Sequence, residues 1–206
     1  MREIPNLLSI GRLLTTVPLV VLVLLDTPWA YLVSLALFVL GAISDLLDGR
    51  LARRYKLVSS LGVFLDLTAD KVYVSALLVA LAQVGVLPAW LVVIIISREF
   101  IVSGLRALAA SEGVVIPAGR WGKQKTAITM LGLAGLLLAK ALDAKAIFPW
   151  GAASSAGLTV SVSNAAGYLL VASDVIMLLA VIWTIFSAVE YLVSGWPLLN
   201  RRVPQS

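Results

Sequence analysis

Four aspartates fall at spacings that would place them in two pairs on helix faces. Asp45 and Asp48 are three residues apart, and Asp66 and Asp70 are four residues apart, so the members of each pair share a face if their segments are helical. Antiparallel neighbouring helices would bring all four carboxylates together. Carboxylate oxygens suit hard divalent cations, and two such cations would balance four negative charges. The spacing therefore indicates a site for two divalent cations, with Mg²⁺, Mn²⁺ and Ca²⁺ as the candidates.

Small and basic residues surround these aspartates. Gly49 and Ala52 fall on the face of the first pair, and Gly62 lies one turn before Asp66, which leaves both helix surfaces open to a ligand. A competing interpretation treats the aspartates as solvated acids at helix ends. In that interpretation they pair with the arginines of the connecting turn, which are Arg50, Arg53 and Arg54.

The residue types that are missing narrow the chemistry further. The chain contains no cysteine and no histidine. It therefore has neither a disulfide framework nor a thiolate nucleophile, and it lacks the commonest general base and the commonest zinc ligand. Any metal must be bound by oxygen ligands, and a carboxylate is the best candidate for a general base.

The elements that must position these residues follow from composition. Of the 206 residues, 61% are hydrophobic and 13% are charged, with a mean hydropathy of +1.02, whereas soluble domains carry roughly 25% charged residues. A water-soluble globular fold is thereby excluded. Because helices satisfy their own backbone hydrogen bonds in lipid, we predict an all-α polytopic integral membrane protein with six transmembrane helices in a single domain over residues 1–206. The six hydrophobic segments run over 5–25, 30–54, 59–86, 88–111, 123–142 and 164–193.

The distribution of positive charge predicts how these helices are oriented. Basic residues cluster at alternate segment ends, whereas the opposite ends carry only Lys140 and Lys145, with Asp26 and Asp143. The positive-inside rule then places both termini in the cytoplasm, together with the loops after the second and fourth segments. The clustered basic residues are Arg2; Arg50, Arg53, Arg54 and Lys56; Arg120, Lys123 and Lys125; Arg201 and Arg202.

The membrane surroundings also bear on the four aspartates. Placing four ionised aspartates at membrane depth would cost on the order of 10–14 kcal/mol without cations. Outside the helices, residues 143–163 are expected to form a surface loop.

The aspartate pattern resembles the signature of a known enzyme family. The chain matches every position of the CDP-alcohol phosphatidyltransferase signature, in the pattern Asp45-x2-Asp48-Gly49-x2-Ala52-Arg53-x8-Gly62-x3-Asp66-x3-Asp70. Two further stretches are similar to the bacterial phosphatidylglycerophosphate synthases within that family. They are the start, IPNLLSIGRLL, and the later stretch SREFIVSGLRALAASEGVVIPAGRWGKQKT. The resemblance covers the N-terminal two-thirds of the chain. It implies a six-helix homodimer in a bacterial inner membrane, with a polar cavity that faces the cytoplasm.

The resemblance also implies roles for the residues of the signature. The four aspartates would bind two divalent cations that hold the pyrophosphate of CDP-diacylglycerol, and Asp70 would also be the base for the acceptor hydroxyl. Arg12 would contact a donor phosphate or counter the acidic cluster. The residues expected to bind CDP-diacylglycerol are Asn6, Arg12, Gly49, Ala52, Arg53 and Gly62.

A second charged cluster lies in and after the fourth segment. Glu99, Ser103 and Arg106 follow one helical stripe there, and ionisable residues within a membrane are functional candidates by default. The alternatives are a structural ion pair between Arg98 and Glu99, and attraction of anionic lipid by the basic residues that follow. By resemblance, the residues expected to bind the phosphate of the acceptor are Arg98, Glu99, Arg106, Arg120, Lys123 and Lys125.

The reaction implied by the resemblance is transfer of a phosphatidyl group from CDP-diacylglycerol to sn-glycerol 3-phosphate, which gives phosphatidylglycerophosphate and CMP. A cationic cluster suits this phosphate-bearing acceptor better than a neutral polyol. The same chemistry with inositol phosphate, serine or phosphatidylglycerol as acceptor is an alternative. In a different class, intramembrane aspartate and arginine also mark cation transporters. The expected partners are both substrates, membrane lipid and a second copy of the chain, and no nucleic acid.

Overall fold

Six α-helices account for nearly all of the part of the chain that the structure, a computed structural model, describes. That part comprises residues 4–55, 60–114, 119–144, 146–147, 161–162 and 164–199. Side chains are described for these residues except 4–9, 46–55, 60–61, 63–66, 120, 146–147, 161 and 194–199. The helices are α1 (Ile4–Leu24), α2 (Pro28–Tyr55), α3 (Ser60–Gln83), α4 (Ala89–Ser111), α5 (Arg120–Ala141) and α6 (Ala165–Leu199).

Each predicted hydrophobic segment is confirmed as a helix, with small differences at the ends. The largest is at the end of α6, which is predicted at residue 193 and observed at Leu199. The predicted end precedes Ser194 and Gly195, which are poor helix formers, but propensity is a weak guide to where a helix stops. The loop predicted over 143–163 contains a feature that the sequence did not indicate: β1 (Ala146–Ile147) pairs antiparallel with β2 (Ser161–Val162).

The helices pack in two groups that meet at α5 and, less extensively, where α3 contacts α4. Helix α1 packs against α2 and α3, α4 packs against α6, and α5 packs against both α2 and α6. The contact between α5 and α6 is close because α5 carries glycines there. A Cβ on Gly132 would lie 2.6 Å from the sulfur of Met177, and a Cβ on Gly135 would collide with the hydroxyl of Ser173. Close approach through small residues is how helices associate in a membrane.

The core of the helix bundle is apolar, but its surface and its buried charges differ from those expected of a protein in water. Several charged residues are buried among the helices, including Arg12, Lys125 and Asp174. Large apolar side chains face outward, and Leu14 and Tyr168 are 70% and 71% exposed. Soluble monomers rarely expose extended apolar surfaces. Within the described residues, Pro28–Asp45 and Ala165–Val193 are long and apolar enough to cross a membrane.

Candidate active site

Asp70 is at the junction of two cavities between the helices. The larger, about 370 Å³, is lined from α1, α2, α3 and α5, and it includes the carboxylates of Asp45 and Asp70. The smaller, about 40 Å³, is lined from α3, α4 and α5, and it includes Asp70, Glu99 and Lys125. Thr126 of α5 lines both. Asp70 can therefore face one ligand in the larger cavity and a second in the smaller one.

The larger cavity combines acidic and basic side chains. The buried guanidinium of Arg12 donates a hydrogen bond from Nη1 to Oδ1 of Asp45 over 2.7 Å. This contact fits the second of the two roles expected for Arg12, that of countering the acidic cluster. Lys123 of α5 lines the same cavity near Asp70. Two carboxylates and two cationic side chains thus line one cavity.

Tyr73 fixes the distance between the two helices that carry the aspartates. Its hydroxyl donates a hydrogen bond to the carbonyl of Leu37 in α2 over 2.8 Å, and its ring is stacked with Phe38 at a centroid distance of 6.2 Å. Gly41 provides the space, since a Cβ there would lie 2.9 Å from the tyrosine hydroxyl. Tyr73 is one turn beyond Asp70, so this contact sets where Asp70 lies relative to α2.

We expect Tyr73→Phe to lower the free energy of unfolding by about 0.6–1.7 kcal/mol, because it removes one hydrogen bond between helices and keeps the ring. Chemical unfolding in detergent micelles measures this change. Tyr168→Phe is the matched control, since Tyr168 is 71% exposed. Equal effects of the two substitutions would contradict the role given to the Tyr73 hydroxyl.

The smaller cavity contains a network of buried charges. Oε1 of Glu99 accepts hydrogen bonds from Nη1 of Arg98, over 2.7 Å, and from Nζ of Lys125. The side chains of Arg98 and Lys125 are 10% and 5% exposed. One carboxylate therefore joins two cations from α4 and α5. Of these residues, Glu99 and Lys125 line the cavity beside Asp70.

Lys71, next to Asp70, turns toward α4. Its ammonium donates a hydrogen bond to the hydroxyl of Ser103, which in turn donates to the carbonyl oxygen of Glu99 over 2.6 Å. Ser103 lies on the stripe of α4 that the sequence singled out, one turn beyond Glu99. The contact links α3 to α4 directly beside the smaller cavity.

The structure brings some of the predicted site residues together and leaves others apart. Asp45, Asp70, Arg12 and Lys123 share the larger cavity, and Glu99 and Lys125 join Asp70 in the smaller one. Gly62 is half-buried in α3. Arg98 is buried behind Glu99, and Arg106 is exposed on α4; neither lines these two cavities. The remaining predicted site residues have side chains outside the described set. They are Asn6, Asp48, Gly49, Ala52, Arg53, Asp66 and Arg120.

Two residues of α6 contact this site and were not predicted from the sequence. The hydroxyl of Ser187 accepts a hydrogen bond from Nη2 of Arg98, and the ring of Tyr191 lies 5.5 Å from Cζ of Arg98. A signal was present, because Thr184, Ser187 and Tyr191 are spaced by three and four residues in a mostly apolar segment. That spacing places polar groups on one helix face.

Comparison with known proteins shows the family to which the chain belongs. The family model described as CDP-alcohol phosphatidyltransferase matches residues 2–186, and the chain therefore belongs to the CDP-alcohol phosphatidyltransferase family. The CDP-diacylglycerol–glycerol-3-phosphate 3-phosphatidyltransferase of Bacillus subtilis is 32% identical, over 97% of this chain and 98% of the relative. The protein of the same name from Pseudomonas fluorescens is 35% identical, over 96% and 92%, and that from Cereibacter sphaeroides is 31% identical, over 98% and 96%.

Proposed function

We propose that this chain transfers the phosphatidyl group of CDP-diacylglycerol to sn-glycerol 3-phosphate, giving phosphatidylglycerophosphate and CMP. The observation that carries the proposal is the placement of Asp70 on both cavities. The larger cavity would take the cytidine diphosphate end of the donor, and the smaller one would take part of the acceptor. The relatives that cover nearly the whole chain are named for this donor and this acceptor.

The acidic residues are suited to two divalent cations, Mg²⁺ or Mn²⁺. Asp45 and Asp70 present carboxylate oxygens to one cavity from two different helices, which is the donor chemistry that hard cations require. We assign the remaining ligands to Asp48 and Asp66 from the signature spacing. When bound, the cations would neutralise the donor pyrophosphate and stabilise the attacking and leaving oxygens.

The residues of the chain supply the acid–base chemistry and the positioning. Asp70 would accept the proton of the acceptor hydroxyl. The oxygen of that hydroxyl would form a bond to the phosphorus that bears diacylglycerol, and the bond from the same phosphorus to CMP would break. Lys123 and Lys125, one on each cavity, would attract phosphate groups of the two substrates. Arg12 holds Asp45 in place at 2.7 Å. This proposal also keeps substrate contacts for the other residues that the resemblance singled out. They are Asn6, Gly49, Ala52, Arg53, Gly62, Arg98, Glu99, Arg106 and Arg120.

We place the chain in the inner membrane of a bacterium as a single domain with six transmembrane helices and cytoplasmic termini. The outward-facing apolar side chains and the buried charges support a lipid surrounding. The start of α5 lies beside Asp70, and it belongs to one of the basic clusters that the positive-inside rule assigns to the cytoplasm. The active site would accordingly face the cytoplasm. A homodimer in contact with membrane lipid completes the proposal, on the basis of family resemblance.

The test is release of CMP by the purified protein in detergent. CDP-diacylglycerol is supplied with Mg²⁺ or Mn²⁺ and with one acceptor at a time: glycerol 3-phosphate, serine, inositol phosphate or phosphatidylglycerol. We expect CMP only with glycerol 3-phosphate, loss of the reaction with EDTA, and recovery when the cation is returned. CMP with a different acceptor would contradict the acceptor assignment, and CMP with none would contradict the enzyme assignment.

A further inference from the structure

We infer that Ser187 and Tyr191 of α6 are positioning residues for the acceptor end of the site, acting through Arg98 and the start of α5. The inference rests on the proposed function, because it assigns the Glu99 and Lys125 cavity to the acceptor. Neither residue lines that cavity. Their effect would be to hold the groups that do.

Ser187 holds the outer end of the charge network. It is fully buried, and its hydroxyl accepts a hydrogen bond from Nη2 of Arg98. The other terminal nitrogen of Arg98 donates to Oε1 of Glu99 over 2.7 Å, and the same oxygen accepts from Lys125. The orientation of the Glu99 carboxylate therefore depends on a guanidinium that α6 anchors from the far side.

Tyr191 acts on the same guanidinium and on the backbone of α5. Its ring lies 5.5 Å from Cζ of Arg98, within the range of a cation–π interaction. Its hydroxyl accepts a hydrogen bond from the backbone N–H of Gly119 over 3.0 Å. Gly119 is the N-cap residue of α5, so one side chain of α6 fixes both Arg98 and the beginning of the helix that carries Lys125.

These contacts differ from those of other buried hydroxyls in the helices. Ser173, also on α6, donates to the carbonyl of Leu169 in its own helix over 2.8 Å, and Thr129 of α5 donates to Lys125 in the same way. Ser187 instead accepts from a charged side chain on another helix. Loss of its hydroxyl would remove a partner from a buried cation, whereas the Ser173 hydroxyl packs against Gly135 of α5 and its loss would leave no charge without a partner.

The experiment compares steady-state kinetics of the full-length protein and its variants. We expect Ser187→Ala to raise the KM for glycerol 3-phosphate about tenfold, since hydrogen bonds to charged groups are worth more than neutral ones, with the KM for CDP-diacylglycerol and kcat changed less than about twofold. Ser187→Thr, which keeps the hydroxyl, should restore the acceptor KM, and Ser173→Ala is the matched control. If Ser187 had a purely structural role, Ser187→Ala would lower kcat and stability without raising the acceptor KM more than the donor KM.

Tyr191→Phe keeps the ring and removes the hydrogen bond to Gly119, so it decides the question if Ser187→Ala does not fold. It should also raise the acceptor KM selectively, by about three- to tenfold. An unchanged acceptor KM in the folded variants, with the wild type active on glycerol 3-phosphate, would overturn this inference alone. A wild type that releases no CMP with glycerol 3-phosphate would overturn the proposed function and this inference with it.

Discussion

Asp70→Asn is expected to lower the rate of CMP release by about 10²- to 10⁴-fold, the range that a general base contributes. The substitution keeps the size of the side chain and one oxygen, so the fold and both cavities should survive. What it removes is the carboxylate that we propose as the proton acceptor, at the point where the two cavities meet. With no histidine in the chain, no imidazole is available to take over that role.

The measurement separates binding from turnover. CDP-diacylglycerol affinity is measured by calorimetry in detergent with the cation present, and CMP release is measured in the same preparation. We expect binding within about tenfold of the wild type, since Asn retains an oxygen that can reach the cation. Asp143→Asn is the control, because Asp143 follows the far end of α5 at a positive φ of 54°, which Asn accepts readily. Wild-type turnover in Asp70→Asn would exclude Asp70 as the base.

Glu99→Gln is expected to destabilise the protein by about 3–5 kcal/mol, the cost of removing one partner from a buried ion pair. The side chains of Arg98 and Lys125 are nearly buried and share one oxygen of Glu99. The amide of Gln can still accept a hydrogen bond, but it cannot balance two positive charges. Mutual repulsion should then push Lys125 away from the smaller cavity, so the KM for glycerol 3-phosphate should rise as well.

Chemical unfolding of both proteins in the same detergent measures the stability change. Glu112→Gln is the matched control, since Glu112 is exposed at the end of α4 and should change stability by less than about 0.5 kcal/mol. Lys125→Met, made together with Glu99→Gln, should recover part of the lost stability because it removes one of the unbalanced cations. Equal stability of Glu99→Gln and wild type would show that the network is solvated rather than buried.

Sequence reasoning predicted the helices well because long hydrophobic runs bounded by turns show where each helix begins and ends to within a few residues. It also assigned Asp70 and the cationic cluster of the fourth segment to one reaction through the family resemblance, without predicting that the two lie side by side. It could not predict that Arg98 faces α6 while Glu99 faces Asp70. Adjacent residues on a helix point about 100° apart, and which one meets which neighbour depends on how the helices pack.

The contribution of α6 was missed for a related reason. Ser187 lies 89 residues after Arg98 in the sequence, and Tyr191 lies further still. A serine in an apolar helix usually bonds to its own backbone, as Ser173 does. The pairing of β1 with β2 was missed because two-residue strands leave no periodic pattern. Contacts between distant helices are set by packing, and the spacing of residues in one segment does not contain that information.

The small volume next to Asp70 has a consequence for fidelity. A carboxylate that can deprotonate an alcohol can also deprotonate water, and water attack on the donor would waste it as phosphatidic acid and CMP. With the donor in the larger cavity, the space left on Asp70 among the described residues is about 40 Å³, room for about three water molecules. An acceptor that enters between Glu99 and Lys125 would displace that water, so the same narrow space that admits the alcohol would limit hydrolysis.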